Sequence, residues 1–241
     1  MITGILVALP EELHTLTKSK IKQGDCLAVS ENTLITLSGA GPKNATHAAQ
    51  NLLSHGATQL ISWGCAGALS PHLKAGHLLI PNCILAKDNT LLTTHQPWSQ
   101  QVIELLDKSI KYDTSCLLES DTIISLAEDK ARQYELTQAT AVDMETAALA
   151  RIANQAQIPF IAIRSIVDSA QLDLPEAINY AMNDAGGISI SKLMLYLVRH
   201  PGNLPRLINT ALCFNKASKT LKHLALQLPQ ITQTQWSLAC Q

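Results

Sequence analysis

Short apolar runs alternate along this chain with longer segments whose apolar residues recur at i, i+3 and i+4, the patterns of buried strands and half-buried helices. Residues 3–9 (TGILVAL) form the first apolar run, ended by Pro10. Pro10-Glu11-Glu12-Leu13 then opens a helix, with proline at its permitted early position and acids in the first turn. Residues 25–30 and 33–37 predict a hairpin around Glu31-Asn32. Residues 38–42 (SGAGP) turn the chain into a helix over 44–55, closed by Gly56. The next strand, 58–63 (TQLISW), is expected to end in a loop of small residues, 64–68 (GCAGA), that lets a ligand approach the backbone. Further strands are predicted at 76–85, interrupted by Pro81, at 114–118, up to residue 142, and at 158–167, the most apolar run of all, which stops at Asp168. Helices are predicted at 99–111, 145–155, 184–198 and 204–228, and residues 229–241 carry no clear signal.

This alternation indicates an α/β domain with a central mixed sheet flanked by helices over residues 1–184, followed by a helical extension, 185–241, packed on the same domain. In such sheets ligands bind beyond the carboxyl ends of strands. Here those ends offer Glu11-Glu12, residues 64–68, Ser120-Asp121, Asp143-Met144-Glu145 and Asp168. At 143–145 two carboxylates flank Met144 where a strand becomes an alanine-rich helix, and capping of that helix is one reading.

Composition narrows the class. With 241 residues, 46% apolar and 15% charged, the chain suits one fairly large soluble domain. The N-terminus turns acidic after its first apolar run and reads as a strand, not a signal peptide. No run reaches the roughly 18 apolar residues of a membrane span. Six cysteines (26, 65, 83, 116, 213, 240) show no CxxC spacing, so a reduced, cytoplasmic protein is expected. The eight histidines form no HExxH pair, and no metal site is expected. Charge is lopsided: all 19 acids lie at or before Asp184, against 12 Lys/Arg there, while the tail holds six Lys/Arg and no acid. The apolar positions of 204–228 have a strong helical period, with Lys216, Lys219 and Lys222 on the remaining face. Two readings stay open for it: an ordinary helix packed on the domain, or a basic surface in peripheral contact with membrane or lipid through 203–228. No nucleic-acid reading motif accompanies the basic tail.

The segments LVALPEEL, LSGAGPKNATHAAQNLL, SWGCAGALSPHLKAGHLLIP, ESDTII, AVDMETAALA and PFIAIRSIVD occur in the order found in the nucleoside phosphorylase superfamily, and most resemble its methylthioadenosine/S-adenosylhomocysteine nucleosidases. RSIVDSAQLDLP, LVRHPGNLPRLINTA and LLTTHQPW resemble the hopanoid-associated phosphorylase-like proteins, which remove adenine from adenosylhopane. The resemblance implies a three-layer phosphorylase-like fold, no cofactor, and a homo-oligomer such as a dimer. It also implies roles: Asp168 as the acid that protonates the purine at N7, Glu145 as the carboxylate on the ribose hydroxyls, and Met144 as packing on the sugar. Glu12 would activate water, Cys65, Ala66 and Gly67 would lie beside sugar and base, and Ile123 and Ile124 would meet the base. Asp143 is shared between capping, support and ligand contact. Two positions depart from the nucleosidases: Ile123 stands where an aromatic commonly stacks on the base, and Val167 where a serine precedes the acid.

These residue types suit glycosidic cleavage on chemical grounds. Positive charge builds on the sugar and negative charge on the departing base, so the reaction needs an acid at the base, a carboxylate at the sugar and a base for water on the opposite face. Phosphorolysis needs cations for a phosphate dianion. The five arginines begin at Arg132 and two acids follow the first strand; by the resemblance, Ser62 stands about where phosphorylases have an arginine that clamps phosphate, and Cys65 where they have a hydroxyl that touches it. Hydrolysis is therefore expected over phosphorolysis, and the resemblance implies the substrate, an adenosyl compound, with adenosylhopane expected. A methylthioadenosine/S-adenosylhomocysteine nucleosidase, a phosphorylase drawing on Lys43, and a non-catalytic nucleoside- or lipid-binding protein are the alternatives.

Overall fold

The computed structural model describes residues 1–181, 195–196 and 199–233. The helix predicted over 184–198 lies outside them except for residues 195–196, and so does the boundary expected at residue 184.

The architecture is a mixed α/β sheet with helices on both faces. Its spine is β4 (Gln59–Ala68), the longest strand. The first half of β4 runs parallel to β1 (Thr3–Val7) on one edge and to β11 (Phe160–Asp168) on the other. Beyond Ser62 β1 stops, and β10 (Ala141–Asp143) takes its place, antiparallel, with Val142 opposite Gly67. From β10 the sheet continues through β9 (Leu117–Glu119), β6 (Cys83–Leu85) and β7 (Leu91–Thr93). From β1 it continues through β3 (Thr33–Leu37) to β2 (Cys26–Ser30), the expected hairpin. β5 (Leu78–Leu79) joins the far edge of β11 and carries β8 (Tyr112–Asp113).

Alternation along the central strands sends successive side chains to opposite layers. Leu6, Leu60 and Ala162 pack with α2 (Pro42–Ser54) and α5 (Thr146–Ala156). Ile5, Ile61, Trp63, Ile161 and Ile163 pack with α1 (Pro10–Leu16), α3 (Gln96–Glu104) and the C-terminal helices. Of these, α7 (Leu204–Ala225), the next long helix among the described residues after the short α6 (Glu176–Ala181), lies on β11 and α1 and buries Ala217, Leu221 and Leu224. A short helix, α8 (Leu228–Gln233), follows within the stretch that carried no sequence signal; its Ile231 is fully buried and Ile231 O accepts from Trp98 Nε1 at 2.9 Å. The outer face of α7 leaves Leu204, Ile208 and Leu212 exposed, with Lys219 and Lys222 further along. Among the described residues no helix is long and apolar enough to cross a membrane.

Four expectations need correction. Residues 64–68 are not a loop. They continue β4, because β11 and β10 supply hydrogen-bonding partners on both edges. The helix expected at 99–111 is α3, which starts earlier, where His95 accepts from Trp98 N at 3.2 Å, and stops at Glu104 ahead of a turn in which Asp107 Oδ1 takes the Ser109 N–H. A helix not anticipated, α4 (Ala127–Thr137), is polar almost throughout, so no apolar period announces it. Finally, the cysteines are not all free: Cys83 and Cys116 form a disulfide, Cα–Cα 4.8 Å. They immediately precede Ile84 and Leu117, which face each other across the β6–β9 ladder, so strand register brings them together although they are 33 residues apart.

Candidate active site

Glu12 is the third residue of α1 and nearly inaccessible. Its Oε2 accepts the N–H groups of Ala8 (2.9 Å) and Leu9 (3.1 Å), which starts the helix, and its Oε1 accepts the N–H of Cys65 at 2.8 Å. Three donors on two oxygens leave Oε1 a free lone pair. Burial pushes the carboxyl above its ordinary range, against the pull of Arg164 and of the three N–H groups. The group thus sits on the second half of β4, held by its own helix start and by the strand.

Gly64 makes this close approach feasible. A Cβ there would collide with Glu12 Oε1 and lie 2.5 Å from Arg164 Nη1. Gly64→Ala is therefore expected to displace one of the two groups. Because a displacement of ~1 Å in a catalytic group can cost on the order of 10²-fold, kcat/KM should fall at least ~10-fold, with ~1–3 kcal/mol of stability lost to overpacking. Steady-state kinetics and a thermal melt on the same sample check both.

Arg164 interrupts the most apolar strand and is fully buried. Its Nη2 lies 2.7 Å from Asp143 Oδ2, 2.5 Å from Ser62 Oγ and 2.7 Å from Thr146 Oγ1, and Nε reaches the same Thr146 hydroxyl at 3.1 Å. Asp143 completes the knot by accepting the N–H of Thr146 at 3.3 Å and its hydroxyl, so it caps α5 and neutralises Arg164 together. Glu145, the residue before α5, does not cap it; its Oε1 accepts the N–H of Gly41 at 2.7 Å, across the opening between the β3–α2 turn and the β10–α5 junction.

Glu12, Asp143 and Glu145 thus share one guanidinium. The excess negative charge falls on Glu145, whose carboxyl is pushed up to about 7 by burial and by Asp143, with Glu12 adding and with Arg164 and the Gly41 N–H opposing. The folded value stands above the ordinary 4.5, so folding binds a proton in that window, and stability falls as pH rises from about 4.5 through 7. Glu145→Gln removes this penalty. The variant should gain stability over wild type by up to about 3 kcal/mol at pH 8 and by far less at pH 5. Denaturant unfolding at both pH values reads this out, and an equal effect at the two would exclude it.

Asp168 ends β11, opposite Gly67, just past a shift in register after Ile166. Its Oδ1 lies over Gly67, 3.2 Å from where a Cβ would be, and its Oδ2 pairs with the buried Lys130 Nζ at 2.5 Å. Burial raises this carboxyl above the ordinary range, and Lys130 opposes the rise. Glu12 and Asp168 therefore attend the same stretch of β4, Glu12 at Gly64 and Cys65 and Asp168 at Gly67, and the charges of both act on the Cys65 thiol. The Cys65 thiol, half-buried on β4, is driven well above its usual range by burial and by Glu12, which disfavours the thiolate that a nucleophile needs.

Met144 is half-buried at the same junction as Glu145, and Ala66 is buried in β4. Ile123 is half-buried, and Ile124 packs on a small cluster with Leu118 and Val142. Three members of the arrangement were not anticipated from the sequence as site residues: Arg164, Thr146 and Lys130. A charged residue inside the run IAIRSIV was the available signal for Arg164, since a buried charge requires a partner.

The profile of the Phosphorylase superfamily matches residues 3–186. The chain belongs to that superfamily. A 5′-methylthioadenosine/S-adenosylhomocysteine nucleosidase of Buchnera aphidicola subsp. Baizongia pistaciae is 26% identical over 210 residues, covering 75% of this chain and 83% of the relative. Among solved structures, a mutant of the Helicobacter pylori nucleosidase with 5′-methylthioadenosine in its active site superposes with a TM-score of 0.67 at 18% identity, covering 94% of this chain and 98% of that one. The futalosine hydrolase of Helicobacter pylori superposes with a TM-score of 0.68 at 19% identity, covering 93% and 97%. These superpositions show a shared fold.

Proposed function

We propose that this superfamily member hydrolyses the N-glycosidic bond of an adenosyl compound and releases adenine. The observation that carries the reading is the set of three buried carboxylates, Glu12, Glu145 and Asp168, around the second half of β4, sharing Arg164 and Lys130 as their cations. In this reading Glu145 holds the ribose hydroxyls and Met144 packs on the sugar. Asp168 Oδ1 gives its proton to N7 of the base as the bond to C1′ breaks, and the electron pair leaves with the purine. Glu12 Oε1 takes a proton from the water that adds to C1′. Low solvent access strengthens each of these electrostatic contributions.

Water is favoured over phosphate by the charge of the site. Arg164 is already engaged by Asp143, Ser62 and Thr146, and Arg151 by both oxygens of Glu119 at 3.0 Å. A phosphate dianion would enter beside Glu12 and Glu145 with no uncommitted arginine at hand among the described residues. The names of the relatives, nucleosidases and a hydrolase, support the same choice.

For the 5′ substituent we propose the hopane chain of adenosylhopane, giving ribosylhopane, on the resemblance of the segments after Arg164. The exposed row Leu204, Ile208 and Leu212 on α7, continued by Lys219 and Lys222, supports peripheral contact with a lipid surface. A methylthioadenosine/S-adenosylhomocysteine nucleosidase is the second reading, favoured by the names of the relatives. Incubating the protein with adenosylhopane and with methylthioadenosine, each with and without phosphate, separates the readings. Adenine and a free reducing sugar without phosphate are expected. A sugar 1-phosphate formed only with phosphate overturns hydrolysis, faster turnover of methylthioadenosine overturns the hopanoid substrate, and binding without turnover overturns catalysis.

A further inference from the structure

Lys130 is fully buried, the single buried residue of the otherwise polar helix α4. Its ammonium has three protons, and three acceptors surround it: Asp168 Oδ2 at 2.5 Å, Leu172 O at 2.7 Å and Ser169 O at 3.2 Å. The segment just after Asp168 is strapped to the start of the same helix twice more. Asp173 Oδ1 accepts the N–H of Ala127 at 2.8 Å, and Leu174 N donates to Ser125 O at 2.8 Å. A lysine is withdrawn from water only where a charge and good geometry compensate it. Here α4 lacks an apolar stripe that would explain the burial as packing, and what the ammonium meets is the carboxylate assigned to the acid step.

We propose that Lys130 is a positioning residue for that step: it fixes Asp168 Oδ2 and balances the charge left on the carboxylate when Oδ1 gives its proton to the leaving purine. The inference rests on the reading of Asp168 as the acid. Before reaction Asp168 is a carboxylic acid with its proton on Oδ1, and Lys130 is an ammonium against Oδ2. The bond from C1′ to the purine breaks, its electron pair goes to the ring, and N7 takes the Oδ1 proton. Asp168 is then a carboxylate in an ion pair with Lys130, and the lysine proton stays where it was. The buried site thereby exchanges an uncompensated cation for a compensated pair during the step, which lowers the barrier. Around the pair, Cys65 on β4 is kept neutral, and Asp173 is turned to the helix start. Burial raises the Asp168 carboxyl and Lys130 opposes that rise.

The test compares the pH–rate profiles of wild type, Lys130→Gln and Lys130→Arg with adenine release as readout. Glutamine keeps a donor for Leu172 O and removes the charge; arginine keeps the charge. The alkaline limb of kcat, where Asp168 loses its proton, should move up by ~1 unit or more in Lys130→Gln, since an opposite charge at this range shifts a carboxyl by ~1–3 units. At neutral pH kcat should fall at least ~10-fold, with KM changed less than about threefold. Lys130→Arg should keep the wild-type limb. In an Asp168→Asn background Lys130→Gln should add no further loss of kcat, because its effect runs through Asp168. A common limb in all three proteins, with kcat falling only as far as the folded fraction falls, overturns the role of Lys130. Asp168→Asn with full activity overturns the reading beneath it, so the two failures are distinguishable. If Lys130→Gln does not fold, Lys130→Met, which removes the charge on an unbranched chain, is read by the same limb: raised by ~1 unit or more supports the role of the charge, unmoved overturns it.

Discussion

Asp168→Asn is expected to lower kcat for adenine release by ~10²–10⁴-fold, the usual contribution of a positioned general acid, while KM changes little. The asparagine carbonyl can still face Lys130 and its amide can still donate to N7, so binding survives and proton transfer does not. The alkaline limb assigned to Asp168 should vanish from what activity remains. A second effect falls on stability. Below the alkaline limb Asp168 is already an uncharged partner of Lys130, so the melting temperature should change little there; above it, where wild type holds the ion pair and the asparagine cannot, the variant should melt lower. Kinetics corrected for folded protein separate the two, and residual activity within threefold of wild type would remove Asp168 from the mechanism. Bases with more acidic leaving groups need less help, so the deficit should shrink on substrates carrying them.

The strand–helix alternation was legible because apolar runs in a sheet buried on both faces are hard to mistake. The ends of those runs were legible for the same reason, but they offered Glu11-Glu12, Ser120-Asp121, residues 143–145 and Asp168 alike, and helix capping would account for the acids at 143–145; only the resemblance singled out Glu12, Glu145 and Asp168. What local pattern does not carry is set by partners distant in sequence. Residues 64–68 look like a turn in isolation, since GCAGA has no side chains to mark a strand; they remain extended because β10 arrives beside them from far along the chain. The Cys83–Cys116 bond likewise depends on which strands are neighbours and in what register. Lys130 was hidden in a helix whose composition is that of a solvent-facing one, and its burial follows from the segment after Asp168 folding over it. The carboxylates were read as separate strand ends; the buried cations beside them, Arg164 and Lys130, were found only in the fold.

Glu12→Gln should abolish hydrolysis more fully than a loss of the base alone. Removing the base accounts for ~10²–10⁴-fold. The geometry adds to this, because Glu12 accepts on both oxygens: Ala8 and Leu9 on Oε2, Cys65 on Oε1. An amide can offer a carbonyl to one side only. With the carbonyl toward Ala8 and Leu9, its NH₂ meets the Cys65 N–H and has no lone pair for water. With the orientation reversed, two N–H groups at the start of α1 are left facing a donor. Either way a buried donor goes unpaired, at about 1–3 kcal/mol, and Arg164 loses one of its surrounding carboxylates. The acidic limb of the pH–rate profile, where Glu12 must be ionised to accept a proton, should disappear together with kcat. Glu12→Asp discriminates between the two parts of the effect. It retains the charge on a shorter stem, so it should recover stability only if the backbone donors can still be reached, and it should not recover rate, since the carboxylate no longer meets water above Gly64. A Glu12→Gln protein that still releases adenine at near the wild-type rate would mean that water is activated elsewhere, and the carboxylate would then be only the anchor that starts α1 against β4.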